Sequence, residues 1–309
     1  MTDGRYAAWL SEVIEAYALD DRAQVSPLRG GTSNVSFTLG GLQSVIITFC
    51  VELSVPRAER LARLIGHLGS HGFPTNRIVP SQVGDLVHVV DGVPVIVKAF
   101  IAGQALRSVD NARAHRIGGV LARLHRVPAP DDLAPDHSIT RATMTELAET
   151  AQDGNFSGWL LPALQEFPAN WGPIPAGIVH GDLVPDNLVE APDGSLVAID
   201  FEEACLAPFV FDVGMSLLGL GHARSLTIET ASSLLAGYQV ERELEASERK
   251  LVPTMVEYSA AMTACWRYEL GQRKGPLPGE LRDWRDMQTI HGQSQEWRRS
   301  GVWSTLLDT

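Results

Sequence analysis

Residues 177–204 read GIVHGDLVPDNLVEAPDGSLVAIDFEEA, and Asp182, Asn187 and Asp200 interrupt a run that is otherwise valine, leucine and isoleucine. Burying such groups without partners costs about 1–3 kcal/mol each. They are therefore either turn and cap residues or the holders of something charged. NLVEAPDGSLVAID is two short strands around Pro192-Asp193-Gly194. With Asp193-Gly194 as a two-residue turn, antiparallel pairing sets residue 192 opposite 195 and, by the same count, 187 opposite 200. Asn187 and Asp200 then face each other at the open end of the hairpin, with Asp182 in a loop folding back over it. Three oxygen-bearing side chains in one place suit magnesium, which takes one or two carboxylates together with substrate phosphates.

The rest of the chain changes character once. Residues 6–18 carry a helical apolar face, and NVSFTLGGLQSVIITF reads as two strands turned at Gly40-Gly41. A helix follows, with Ala58, Leu61, Leu64, Ile65 and Leu68 on one side, and then a second hairpin turned around Asp91-Gly92. From about residue 105 the pattern is helical, with Ala114, Ile117, Leu121 and Leu124 in register. Residues 128–137 and 162–177 are proline-rich and read as loops; further helices are expected near 211–221, 226–246, 253–272 and 280–298. The expected fold class is α+β, with a small antiparallel-sheet lobe over 1–102 and a larger helical lobe over 103–309.

The bulk properties exclude several partners. The 309 residues, 45% hydrophobic and 20% charged, are globular in composition. A formal charge of −12 offers no basic footprint for nucleic acid or an anionic membrane surface. Cys50, Cys205 and Cys265 are scattered and form no CxxC pair, which argues for a reducing compartment. The acidic amphipathic start is no secretory signal, and no apolar run is long enough to span a bilayer. The expected location is the cytoplasm.

The order H-x-D-x(4)-N, hairpin, D-F has the logic of the protein-kinase catalytic loop and its metal-binding aspartate. With His180-Gly181-Asp182 in place of His-Arg-Asp, it resembles the aminoglycoside phosphotransferase and choline kinase superfamily. The likeness extends to LRGGTSNVSFTL as a phosphate-covering loop and PVIVKAFIAG as the last small-lobe strand running into the hinge. GGVLARLH and FVFDVG match further segments of that family. YALDD, VIITF, SHGFPTNRIV and DFEEACLAPFVFD look most like the homoserine kinase branch. The resemblance implies a two-lobed protein-kinase-like fold with ATP as substrate and Mg²⁺ as cofactor. Asp182 becomes the catalytic base, Asn187 and Asp200 the metal ligands, and His180 and Asp212 structural supports of the site. Gly30, Gly31, Thr32, Ser33 and Asn34 would contact phosphate, and the backbone of Ala99, Phe100 and Ile101 the adenine. Glu202, Glu203, Trp266 and Arg267 are candidates for the acceptor site.

One departure stands out. Protein kinases carry a lysine in the third strand, paired with a helix glutamate; here SVIITF places Thr48 there, as the homoserine kinase branch also does. Thr48 is retained as a nucleotide-side position and Glu59 as a weak helix partner. Arg29, Arg57 and Arg60 are within reach of the phosphates, whereas Lys98 sits near the hinge and is no obvious substitute. The partners implied are ATP and a small hydroxylated acceptor, an amino acid or amino alcohol such as homoserine, with a homodimer left open. An aminoglycoside or other antibiotic is the alternative acceptor. A kinase-like binding protein without turnover is the rival that Thr48 favours and the complete Asp182, Asn187 and Asp200 set disfavours.

Overall fold

The computed structural model describes residues 4–28, 34–41, 44–135, 137–221, 225–275 and 283–308. The chain divides into two compact units. One comprises residues 1–104, 130–132 and 189–202; the other comprises 105–129, 133–188 and 203–309.

The first unit opens with α1 (Gly4–Ala16), β1 (Val25–Leu28), β2 (Val35–Leu39), β3 (Val45–Phe49), α2 (Val55–Ser70), β4 (His88–Val90) and β5 (Val93–Ala99). The strands form one antiparallel sheet in the order β1-β2-β3-β5-β4. Alternation along them puts Phe37, Leu39, Val45, Ile47, Phe49, Val95 and Val97 on a single face. With Trp9, Leu10 and Val13 of α1 they make a buried core. Tyr6, Trp9, Phe37 and Phe49 meet edge-on or tilted, with ring centroids 5.4–6.0 Å apart. Each such side chain contributes about 1.5–3 kcal/mol by burial. The Trp9 indole N–H also donates to Asp91 at 2.7 Å, pinning α1 to the β4–β5 turn. That turn is the two-residue Asp91-Gly92 connection expected from the sequence, because Val90 pairs with Val93. The β2–β3 connection differs from expectation: Leu39 pairs with Val45, so it takes residues 40–44 rather than Gly40-Gly41 alone. A two-residue turn would set Phe37 opposite Ser44. The longer one sets it opposite Ile47 and keeps the apolar row together.

Beyond β6 (Gln104–Ala105) come α3 (Asn111–Leu124), α4 (Arg141–Thr150), α5 (Gly154–Glu166), β7 (Ala176–Val179), β8 (Leu188–Glu190) and β9 (Leu196–Ala198). Then follow β10 (Cys205–Pro208), α6 (Phe209–Leu220), α7 (Ile228–Glu241), α8 (Ala246–Lys274), α9 (Trp284–Arg299) and α10 (Val302–Leu307). The β8–β9 hairpin belongs with the sheet unit. The Ala198 N–H donates to the Pro74 carbonyl at 3.0 Å, and the Phe73 and Phe201 rings meet edge-on at 6.1 Å. Its turn is also one residue longer than expected: the Ala191 N–H donates to the Ser195 carbonyl, leaving Pro192, Asp193 and Gly194 as the turn. Gly194 takes the left-handed φ of 82° that closes such a three-residue loop. The count that set residue 187 opposite 200 therefore shifts by one.

In the helical unit, α3 and α7 pack backbone to backbone. A Cβ on Gly118 would lie 2.1 Å from the Leu234 carbonyl, and one on Gly237 would lie 1.9 Å from that of His115. Helix α6 is buried on nearly every side, as a helix with so little polar surface must be. Two expectations fail here. Helix α5 runs through part of the stretch read as a proline loop, with Pro162 inside it, and α8 runs through Pro253. The class is α+β as expected: a small antiparallel sheet and a larger helical body. Among the described residues no helix is long and apolar enough to cross a membrane.

Candidate active site

The loop 180–187 leaves β7 and is held by one face of α6. Asp212, Ser216 and Gly219 are spaced four and three residues apart and so point the same way. The Asp212 carboxylate accepts the His180 N–H at 2.6 Å and the Gly181 N–H at 2.9 Å. The Ser216 hydroxyl donates to the Leu183 carbonyl at 2.8 Å. Gly219 passes so close that a Cβ would lie 2.9 Å from the Val184 side chain. A short 3₁₀ turn over Pro185–Asn187 ends the loop. Asp212 is fully buried in the first turn of α6, where the helix N-terminus adds to the field of the N–H donors.

Behind Asp212 runs a buried polar chain with a definite direction. His125 Nε2 lies 3.2 Å from the Asp212 carboxylate, and His125 Nδ1 lies 2.7 Å from the Tyr238 hydroxyl. Arg242 donates to that hydroxyl at 2.8 Å and to Glu248 at 3.0 Å. Because the Asp212 carboxylate can only accept, a neutral His125 carries its proton on Nε2 and donates it to Asp212, and the Tyr238 hydroxyl donates to the bare Nδ1. Burial holds the His125 pKa below its usual value, against the pull of Asp212, so the ring is neutral. No local pattern marks this chain, because His125 and Tyr238 lie 113 residues apart.

Within the loop, the Asn187 amide nitrogen donates to the Asp182 carbonyl at 2.8 Å and to the Asp182 carboxylate at 3.0 Å. That leaves Asn187 Oδ1 as an available hard oxygen donor. The His180 ring is fully buried, and its Nδ1 accepts the Asp182 N–H at 3.3 Å. Gly181 has φ of 83° and lies against the Glu203 backbone, which the β7–β10 pairing brings alongside. The Glu203 carboxylate accepts the Ser138 N–H at 3.1 Å and sits 3.7 Å from His137. The His137 pKa is lowered by burial, and its ring hydrogen-bonds the Gly181 backbone. From His137 an aromatic wall continues through Phe211 and Tyr258 to Phe167 and Trp171. Arg141 closes it, donating from Nη1 to the Phe167 and Pro168 carbonyls at 2.9 and 3.0 Å.

The other site residues named from the sequence, Trp266 and Arg267 excepted, belong to the sheet unit. Asp200 has φ of 68°, a left-handed conformation unusual for a residue with a side chain. Glu202 accepts a hydrogen bond from the Asn34 amide, and its carbonyl takes Arg57 Nη2 at 3.3 Å. The remaining Asn34 oxygen is buried without a partner among the described residues. Thr48 is buried and shares a 3.1 Å hydrogen bond with Ser36. In the hinge segment the Ala99 N–H donates to Arg77 and the Phe100 N–H to Ser44, while Ile101 N–H makes no backbone hydrogen bond among the described residues. Gly30, Gly31, Thr32 and Ser33, with Arg29, lie outside the described residues. Glu59 is half exposed beside Arg63. Trp266 and Arg267 lie on α8, where Arg267 donates to the Asp283 carbonyl at 3.3 Å and stands 3.9 Å from Asp286. Its charge is already answered on α9.

Comparison with known proteins gives one coherent answer. Residues 24–251 match the model of the "Phosphotransferase enzyme family". A homoserine kinase of Mesorhizobium japonicum is 26% identical over 262 residues, spanning 81% of this chain and 82% of that one. One of Methylobacterium radiotolerans is 26% identical over 310 residues, spanning 95% and 96%. Among solved structures, a microcompartment-associated aminopropanol kinase superposes with a TM-score of 0.71 at 17% identity, covering 96% of this chain and 99% of that one. A spectinomycin phosphotransferase in complex with ADP and spectinomycin gives 0.69 at 12%, covering 93% and 96%.

Proposed function

The chain belongs to the phosphotransferase enzyme family and is a small-molecule kinase, and from that premise we propose that it moves the γ-phosphoryl group of ATP to the hydroxyl of a small amino acid or amino alcohol such as homoserine. The observation that carries the reading is the 180–187 loop, whose Asp182 and Asn187 side chains are fixed against each other while α6 holds the backbone. Asp182 orients the acceptor hydroxyl and takes its proton. Asn187 Oδ1 and the Asp200 carboxylate would hold Mg²⁺, which when bound would neutralise charge on the phosphates. His180 and Asp212 keep the loop in shape, and the hinge backbone of Ala99 to Ile101 takes the adenine. Such chemistry asks mainly for positioning and charge neutralisation.

An amino-acid acceptor also explains the wall beside the loop. Glu203 supplies an anion for its ammonium group. Arg141, with only Nη1 spent on carbonyls, supplies a cation for its carboxylate. With Arg267 already paired to α9, Arg141 takes the place that the sequence first suggested for Arg267. The relatives named homoserine kinase favour this acceptor over an antibiotic. The test is a product-identified screen with Mg·ATP against homoserine, 1-amino-2-propanol and kanamycin. Phosphohomoserine or a phosphoamino alcohol is the expected product. Phosphorylation of kanamycin alone would overturn the acceptor class.

A further inference from the structure

Thr48 stands where this fold normally places a phosphate-binding lysine, so the sheet unit needs another cation there. We propose that Lys98 of β5 is that cation, reaching the nucleotide phosphates from the strand beside Thr48. The inference rests on the nucleotide reading given above.

Strand register carries the argument. Thr48 pairs with Ile96 and Ile46 pairs with Lys98 in the β3–β5 ladder. Lys98 is therefore the diagonal neighbour of Thr48 on the same face of the sheet, a separation of about 7–8 Å. A four-carbon stem can bring an ammonium across such a distance. The opposite face is closed by the apolar core under α1, so Ser36, Thr38, Thr48 and Lys98 lie on the other face together with Ile46 and Ile96. In sequence Lys98 is next to the hinge. In the sheet it is next to Thr48.

Of the other cations near the phosphates, Arg29 lies outside the described residues. Arg57 is bonded to the Glu202 carbonyl. Arg60 is exposed on α2, and Glu59, which a β3 lysine would pair with, is half exposed beside Arg63. Lys98 is half-buried, and its ammonium has no hydrogen bond or ion pair among the described residues, the backbone alone being paired with Ile46 and Ile78. A half-buried ammonium without a counter-ion is costly, and an anionic phosphate chain would offset that cost. The field at Cys50 agrees. Burial pushes its thiol up to about 12, Lys98 pulls it down, and Glu202 and Asp200 push it further up. The ammonium and the Asp200 carboxylate thus both lie near one thiol, close to where phosphates and metal would meet.

The test measures binding of Mg·AMP-PNP by calorimetry, and the melting temperature with and without it, for the wild type, Lys98→Met, Lys98→Arg and Thr48→Lys/Lys98→Met. Lys98→Met should bind about 10–100-fold more weakly, the value of a hydrogen bond to a charged group. It should keep its nucleotide-free melting temperature, because no structural partner is lost. Lys98→Arg should retain most of the affinity. The double variant, with the lysine moved to the diagonal position, should recover part of it. Wild-type affinity in Lys98→Met overturns the proposal while leaving the kinase reading intact. A marked fall in its nucleotide-free melting temperature assigns Lys98 to structure and also overturns the proposal. Absence of Mg·AMP-PNP binding by the wild type overturns both readings together.

Discussion

Replacing Gly181 by alanine tests the loop geometry most directly. An added Cβ would lie 2.4 Å from the Glu203 carbonyl oxygen, about 1 Å short of the 3.4 Å at which ordinary contact begins. Neither side can give way freely. Asp212 holds the N–H groups of His180 and Gly181, and Cys205 is paired with Val179 across β7 and β10. The φ of 83° adds about 1–2 kcal/mol of left-handed strain for any side chain. Relief must come from moving residues 180–182 relative to Asp212 by roughly the missing ångström, and a displacement of that size costs about 100-fold in rate. Gly301 is the control. Its φ is 81°, and an added Cβ there meets nothing within 4 Å. Gly301→Ala should lose only the strain, a drop of about 2–4 °C in Tm per kcal/mol, with kcat unchanged. Steady-state phosphoryl transfer and thermal melts on both variants decide the matter. Wild-type kcat in Gly181→Ala, or an equal loss in Gly301→Ala, would refute the reasoning.

Asp182→Asn should lower kcat by about 10²–10⁴-fold, the usual worth of a general base, with nucleotide affinity near wild type; wild-type turnover would remove Asp182 from the chemistry. Asp200→Ala should weaken Mg·ATP binding as well as turnover, and unchanged affinity by titration would move the metal elsewhere. Burial lowers the pKa of His125, His137 and His291 from 6.5, so these rings are neutral in the fold while the unfolded chain takes up protons near 6.5. Their contribution to stability is complete above that pH and is lost as the pH falls below it toward the folded values. Tm should decline on acidification from 6.5, and a flat profile would contradict neutral buried histidines.

The chemistry was legible where residues of unlike type recur at short spacing. His180, Asp182, Asn187 and Asp200 announce the loop and hairpin, and Asp91-Gly92 announces a tight turn. Longer-range features were not. The turns at 40–44 and 192–194 each exceed the local signal because strand register is decided by which apolar rows meet. Helices α4 and α5 were hidden by flanking prolines and by Pro162. Ser216 and Gly219 share the face of Asp212, so helical spacing within FDVGMSLLG was a usable signal for them. Nothing local could reveal the His125, Tyr238, Arg242 and Glu248 chain, nor the pairing that sets Lys98 beside Thr48.

The glycine contact between α3 and α7 bears on how the helical unit opens in solution. With backbones this close at Gly118 and Gly237, neither helix can slide or roll without driving a neighbour's atoms into a carbonyl. Partial separation would also strand the His125 and Tyr238 pair without its buried bond. Local openings that leave the two helices together cost little, whereas any opening that parts them approaches the cost of unfolding the whole unit. In deuterium exchange the amides of this pair should be the last to go, forming the slow centre from which protection falls away toward the loops.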